Sequence, residues 1–438
     1  MTTAVHPQGR TGPRTRGPGR TRRLPIAVAV LSLLYGVLGV TWLLNGPIDY
    51  PFGPTGPDAD RISLLAFIPT DVGAGLIAVL GFLGVPAALA HTQSTWTPSA
   101  YRPLLAFTAL QAIVFGLLAP SMTVIVLAGY LLVLVGLPVA FAFLVAGAWR
   151  QPVTRALLLG VLALVATLQL TTGLFDWEAF RNLGTALAHV PERVGTTPLF
   201  VLTAFLLGAG WTALGIRTLR TAQSRCPHCG RSHSTAASPG VSPTDPRGHD
   251  SPARTARESA TPSPHWTDPE SARRWGFWAT IIAALCPMPY ALLRMTWLLP
   301  TPIGLGIDSA DLDADPGMKL FGLGLGLIAL ASGIVTLGLI RPWGETWPRW
   351  IPFLAGRPVP IKAAVIPGAT AAAFLLVSSL SLVQMLWLPE ESLLTNLGHL
   401  ALFPFPLWGT TLAIATAAYY YRRRPPCPYA VTQAAATR

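Results

Sequence analysis

The sequence predicts an all-α fold: a polytopic transmembrane helix bundle of about ten spans, built as a parallel internal repeat of four helices plus an inserted hairpin. Three observations predict it. Hydrophobic residues make up 51% of the 438 residues and charged residues only 11%, against about 25% charged in soluble proteins. The apolar residues come in unbroken runs of about twenty, the length that crosses a bilayer. The charges fall between the runs, with basic and acidic loops alternating along the chain.

The elements follow in order. A basic segment, 1–23, carries six arginines ahead of the first run, Leu24–Leu44. This run resembles a signal-peptide core but is too long for one. Asn45-Gly46-Pro47-Ile48 offers no small-x-small cleavage site, so the run reads as a retained anchor. The next spans are Leu64–Val85, Leu104–Leu118, Met122–Trp149, Ala156–Leu174 and Leu199–Ile216. After a long loop come Trp275–Leu299, Leu320–Ile340, Ala363–Trp387 and Leu400–Tyr420. Only Pro120-Ser121 separates the third from the fourth, and merging them would turn every later loop to the other side. With ten spans and the N-terminus inside, cytoplasmic segments hold 26 of the 31 basic residues. With nine, the nine-arginine loop would lie outside. The positive-inside rule therefore selects ten spans, with both termini in the cytoplasm.

Short motifs recur across the long loop. Tyr35-x5-Thr41-Trp42-Leu43-Leu44 returns as Tyr290-x5-Thr296-Trp297-Leu298-Leu299, and Asp58-Ala59-Asp60 returns as Asp313-Ala314-Asp315 at the same spacing. Pro152-Val153 with Arg155-Ala156 then matches Pro358-Val359 with Lys362-Ala363, and Asn182-Leu183-Gly184 matches Asn396-Leu397-Gly398. The later matches have a shorter offset, by about the length of one hairpin. These matches define a first repeat over 24–216, six spans with the inserted hairpin at 101–149, and a second over 275–421 with four spans. An even number of spans in each gives both copies one orientation. Between them, 217–274 is a cytoplasmic linker whose middle is rich in Ser, Thr, Pro and charge. Such a stretch lacks the apolar surface to offset its ordering entropy. A cytoplasmic tail, 422–438, closes the chain.

The net charge of +12 comes from 29 arginines and two lysines placed at span ends. No basic stripe interleaved with aromatics is present, so nucleic acid is not an expected partner. Four cysteines are too few and too scattered for a disulfide framework. Cys226-Pro227-His228-Cys229-Gly230 has the form of half a zinc site. His233 and Cys427, the latter just past the last span, would complete a structural zinc with Cys226 and Cys229; reduced cytoplasmic thiols are the plain alternative. Cys286 falls mid-span and reads as a small packing residue.

Two ionisable residues fall inside predicted spans, Asp71 and Arg294, each costing roughly 2.5–3.5 kcal/mol at a helix centre. In the repeat alignment Asp71 faces Gly326 and Arg294 faces Gly39, so each copy carries one charge the other lacks. Their matching depth from the outer face suggests an ion pair joining the repeats, either a polar pathway or a structural contact. The alternative for Arg294 is snorkelling to the headgroups. The Asp-Ala-Asp triplets could hold a cation, but carboxylates at helix starts explain them more simply. No G-x-S-x-G, H-E-x-x-H or Walker A sequence occurs.

The loop Arg341-Pro342-Trp343-Gly344-Glu345-Thr346-Trp347-Pro348-Arg349-Trp350-Ile351-Pro352 is rich in tryptophan and arginine. It reads as an interfacial anchor or as a partner-binding loop. Through this stretch, Gly356-Arg357-Pro358-Val359-Pro360 and the tract after Tyr290, the chain resembles uncharacterised multi-pass integral membrane proteins of actinobacteria. The resemblance covers roughly the second half. It implies a bacterial plasma-membrane location and no activity. Three functions are therefore expected candidates. The first is a transporter or permease, using a cavity with Asp71, Gln111, Gln169, Arg294 and Gln384. The second is a non-catalytic scaffold or regulatory partner, binding protein through 217–274 or 341–362. The third is a membrane enzyme acting on lipid-linked substrates.

Overall fold

The structure, a computed structural model, describes residues 19–52, 63–93, 98–120, 129–149, 151–172, 177–189, 195–223, 266–299, 316–349, 351, 354–385, 398 and 400–425. Twelve α-helices are named here: α1 (Gly19–Leu43), α2 (Thr70–Ala90), α3 (Pro98–Ile113), α4 (Leu137–Ala148), α5 (Pro152–Thr172), α6 (Trp177–Ala188), α7 (Thr197–Ala222), α8 (Pro269–Leu285), α9 (Met288–Met295), α10 (Pro316–Leu337), α11 (Ile361–Met385) and α12 (Phe405–Arg423). π-helical turns at Val114–Leu118 and Leu132–Gly136 extend α3 and precede α4. Among the described residues the one β-type pairing is an isolated bridge between Thr346 and Pro358. Ten segments are long and apolar enough to cross a membrane, with α8 and α9 together forming one of them. The protein is an all-α polytopic bundle, and the third and fourth spans are separate helices.

The distribution of side chains is that of a protein solvated by lipid. Along α1, Ile26, Val30, Leu33, Leu34 and Val37 are exposed, while Ser32 and Tyr35 are fully buried. Elsewhere Gln111, Thr280 and Ser378 are buried as well, and Leu170, Val335 and Leu159 are open. Water would penalise such an arrangement, because each exposed aliphatic surface costs about 25 cal/mol per Å². In hydrocarbon the polar groups need protein partners and the apolar ones need none.

Three features differ from the sequence reading, each for a local reason. The second span was expected to start at Leu64. A 3-10 turn occupies Leu64–Phe67, and the helix begins at Thr70, after Pro69. Proline forces the residue before it out of the α region and lacks an N–H for a continuing helix. The seventh span, expected to be continuous, breaks between α8 and α9 at Cys286 and Pro287. The loop before the sixth span contains α6, which an apolar-run criterion passes over because it is short and carries Glu178 and Arg181.

The helices sort into two compact units. The first holds α1, α2, α3 and α7 from Thr203 onward. Here α1 and α2 pack with backbones in near contact. A Cβ at Gly39 would lie 2.5 Å from the Ala78 nitrogen and 2.8 Å from the Ala74 oxygen, and one at Gly81 would meet the Gly36 backbone. Small residues at such spacing are the usual device for close helix association in lipid. α3, which the repeat alignment assigns to the inserted hairpin, belongs to this unit: its Gln111 Nε2 donates to the Leu80 carbonyl at 2.7 Å.

The second unit holds α4 to α6 and α8 to α12. Its core comprises Ala279 and Ala283 of α8, Ala372 and Leu375 of α11, and Phe405, Leu412, Ala415 and Tyr419 of α12. α9 packs on α10, with Gly326 2.8 Å from the Arg294 Cβ when given a side-chain carbon. The register differs from that of α1 on α2. Gly39 faces Ala78, whereas its sequence counterpart Arg294 faces Gly326, seven residues before Gly333, the counterpart of Ala78.

Candidate functional site

The sequence singled out two intramembrane charges, and the structure gives each a local setting in a different unit. Asp71 is exposed and stands in the first turn of α2. There the helix macrodipole and unpaired N–H groups favour a carboxylate. Arg294 stands in the last turn of α9, where a cation is favoured in the same way. Its guanidinium carbon lies 4.0 Å from the centre of the buried Trp297 ring and 5.1 Å from that of Tyr290. Its Nε donates to the Tyr290 hydroxyl at 2.9 Å. Stacking of this kind contributes about 0.5–2 kcal/mol.

A second polar cluster, absent from the sequence reading, lies in the first unit. His91 caps the end of α2, one residue beyond the span, and is 6% exposed. Its Nδ1 is 2.6 Å from the Thr218 hydroxyl and its Nε2 is 3.0 Å from that of Thr108. The Thr108 hydroxyl donates its own proton to the Leu104 carbonyl at 2.7 Å. It must therefore accept from His91, which assigns the proton to Nε2 and makes Nδ1 the acceptor for Thr218. The ring is neutral and held from three helices. Burial first, and the nearby Arg217 charge second, lower its pKa from the ordinary 6.5 to about 4. Farther inside, Ser32 Oγ and Gln111 Oε1 are buried beside Gly84 without hydrogen-bond partners among the described residues. His91, Thr108 and Thr218 lie scattered along the sequence, and only the fold brings them together.

The third candidate is the loop between α10 and α11, which is built rather than slack. Trp347 N donates to Arg357 O, Gly356 N to Trp347 O and Val359 N to Glu345 O, each at 2.9 Å, closing an antiparallel hairpin. The end of α12 fastens it. The Tyr419 hydroxyl donates to Gly344 O at 2.7 Å, and Arg422 donates to Leu339 O at 2.7 Å, satisfying a carbonyl just past the end of α10. Arg422 also pairs with Glu345 at 3.4 Å, and Arg423 reaches the Tyr419 hydroxyl. Gly344 is required here, since any side chain would enter the Gly338 carbonyl. The hairpin leaves Arg341, Trp343, Arg349, Leu354 and Arg357 exposed. Replacing Tyr419 with phenylalanine leaves Gly344 O only the long contact from Arg423 at 3.5 Å and is expected to loosen the hairpin by about 1 kcal/mol. In detergent, trypsin should then cut after Arg349 faster than in the wild type. Equal cutting rates would refute the latch.

The proposed zinc ligands Cys226, Cys229, His233 and Cys427 lie outside the described residues, as do both Asp-Ala-Asp triplets. Among the described residues no group of three or more His, Cys, Asp or Glu could hold a metal ion. Cys286 is a buried free thiol at the break between α8 and α9. Comparison with family models, curated proteins and solved structures finds no match to this chain.

Proposed function

We propose that this multi-pass membrane protein is a non-catalytic scaffold or regulatory subunit of a bacterial plasma membrane, with both termini cytoplasmic. It presents the 341–360 hairpin to a protein partner. The observation that carries this reading is the fastening of that hairpin to the end of α12 by Tyr419 and Arg422. A loop needed only to connect two spans has no use for a fixed shape, and loops held rigid by a scaffold are where recognition residues concentrate. Its exposed Trp343 and three arginines are residue types that anchor interfaces. The basic balance of 341–362 supports a cytoplasmic position.

The transport reading rested on Asp71 and Arg294 as parts of one polar path. Each has a sufficient local account: a helix N-terminus for the carboxylate, and aromatic stacking for the guanidinium. Native mass spectrometry of the gently extracted protein separates the readings. The scaffold predicts a co-purifying protein subunit that is lost on combining Trp343→Ala with Arg357→Glu. A protein without subunits that retains a small solute would overturn it in favour of transport.

A further inference from the structure

We propose that the partner of the 341–360 hairpin presents an acidic segment, held by the guanidinium groups of Arg341, Arg349 and Arg357. The inference rests on the scaffold reading and adds the chemistry of the partner. Between 341 and 362 stand four cations, Arg341, Arg349, Arg357 and Lys362, and one carboxylate, Glu345. Glu345 is already engaged by Arg422 at 3.4 Å. The three arginines are exposed, and none meets a carboxylate among the described residues. A guanidinium carries its N–H donors in a rigid fork that matches a carboxylate. Three of them on one clamped loop form a cationic surface without internal counter-ions.

Two features select a protein over lipid, and side chains over backbone. The hairpin is tied down at a second point: Gln151, one residue ahead of α5, donates from Nε2 to the Arg349 carbonyl. With Tyr419 and Arg422 holding the other end, the hairpin lies against the ends of both α5 and α12. Protein, not headgroup, is beneath it at both points. The same tie joins to the hairpin the turn that carries Trp149, which is 84% exposed. Aromatic residues and arginines together are the composition of an interface anchor. Strand addition is closed off. The N–H groups of Glu345, Thr346, Trp347, Gly356, Arg357 and Val359 all donate within the hairpin, and Pro348, Pro358 and Pro360 have none. Recognition therefore falls to side chains, and unpaired cations select carboxylates.

The test uses the full-length protein, produced without its partner in a non-ionic detergent, with fluorescein-labelled decaglutamate as the probe. Fluorescence anisotropy is expected to show binding that weakens as salt rises, because exposed charges are screened beyond about 10 Å at 0.1 M. Arg341→Gln, Arg349→Gln and Arg357→Gln together should weaken the peptide about tenfold. Arg10→Gln, Arg14→Gln and Arg16→Gln together remove the same charge outside the hairpin and should leave binding unchanged. Equal losses in the two triple variants would overturn the proposal, since binding would then follow net charge alone. So would a wild type that ignores decaglutamate. Binding that survives in phosphatidylcholine nanodiscs but vanishes in phosphatidylglycerol nanodiscs would also overturn it, the headgroups then holding the arginines. A co-purifying subunit that the hairpin triple variant retains would overturn this proposal and leave the scaffold reading standing. The anisotropy readout needs no co-purifying subunit, so the two can fail separately.

Discussion

Gly39→Ala should be among the most damaging single-methyl additions to this protein, costing about 3 kcal/mol, the upper end for overpacking a filled site. The added carbon would lie 2.5 Å from the Ala78 nitrogen and 2.7 Å from its Cα. Those are backbone atoms of α2, so no side chain can rotate away. The helices must separate, and the small-residue seam that holds them loses its contacts along its length. Gly75→Ala is the control. A Cβ there meets only the Leu43 methyls at 3.9 Å, an ordinary contact. Thermal unfolding in detergent should show Gly39→Ala melting well below both the wild type and Gly75→Ala. Equal melting of the two variants would mean that the seam is looser than described.

Acid should destabilise the first unit through His91. Its pKa is lowered in the folded state, so the sign follows from proton uptake. Above pH 6.5 the ring is neutral folded or unfolded, and this stability term is complete. Below 6.5 the unfolded chain binds the proton more readily, so stability falls with pH until the folded pKa of about 4 is passed. The loss is bounded at roughly 3 kcal/mol, since one pKa unit corresponds to 1.36 kcal/mol. The structural event is specific. Protonating Nδ1 removes the acceptor for Thr218 and puts a second cation near Arg217. In His91→Gln the same hydroxyls can be met without titration, so its unfolding temperature should stay flatter between pH 6.5 and 4. Parallel decline of the wild type and His91→Gln would assign the acid sensitivity elsewhere.

What the sequence made legible here was the bilayer as solvent. Runs of about twenty apolar residues with flanking arginines report span number directly, because their length and composition answer to lipid alone. Helix ends were less legible wherever a proline intervened. Pro69 moved a boundary and carried Asp71 from inside the expected span to a helix start, and Pro287 interrupts a span that the apolar run shows as continuous. The polar contacts were the least legible. His91, Thr108 and Thr218 become a site only through the crossing of three helices, and nothing in their spacing announces it. Likewise the stacking of Arg294 on Trp297 and Tyr290, one turn away or less, did not stand out from the spacing alone. Repeat spacing is also a weak guide to register, since Gly39 and Arg294 correspond in sequence yet face α2 and α10 at different heights.

The latch on the 341–360 hairpin also fixes when that surface can exist during synthesis. Its fasteners, Tyr419 and Arg422, are translated more than seventy residues after Gly344, several seconds later at about 5–20 residues per second. Until α12 is inserted, the hairpin has its own backbone hydrogen bonds but no clamp. A chain stalled or truncated before Tyr419 can insert its earlier spans without displaying the finished platform. The clamped hairpin is thus a mark of completion, present only on molecules whose last helix is in place.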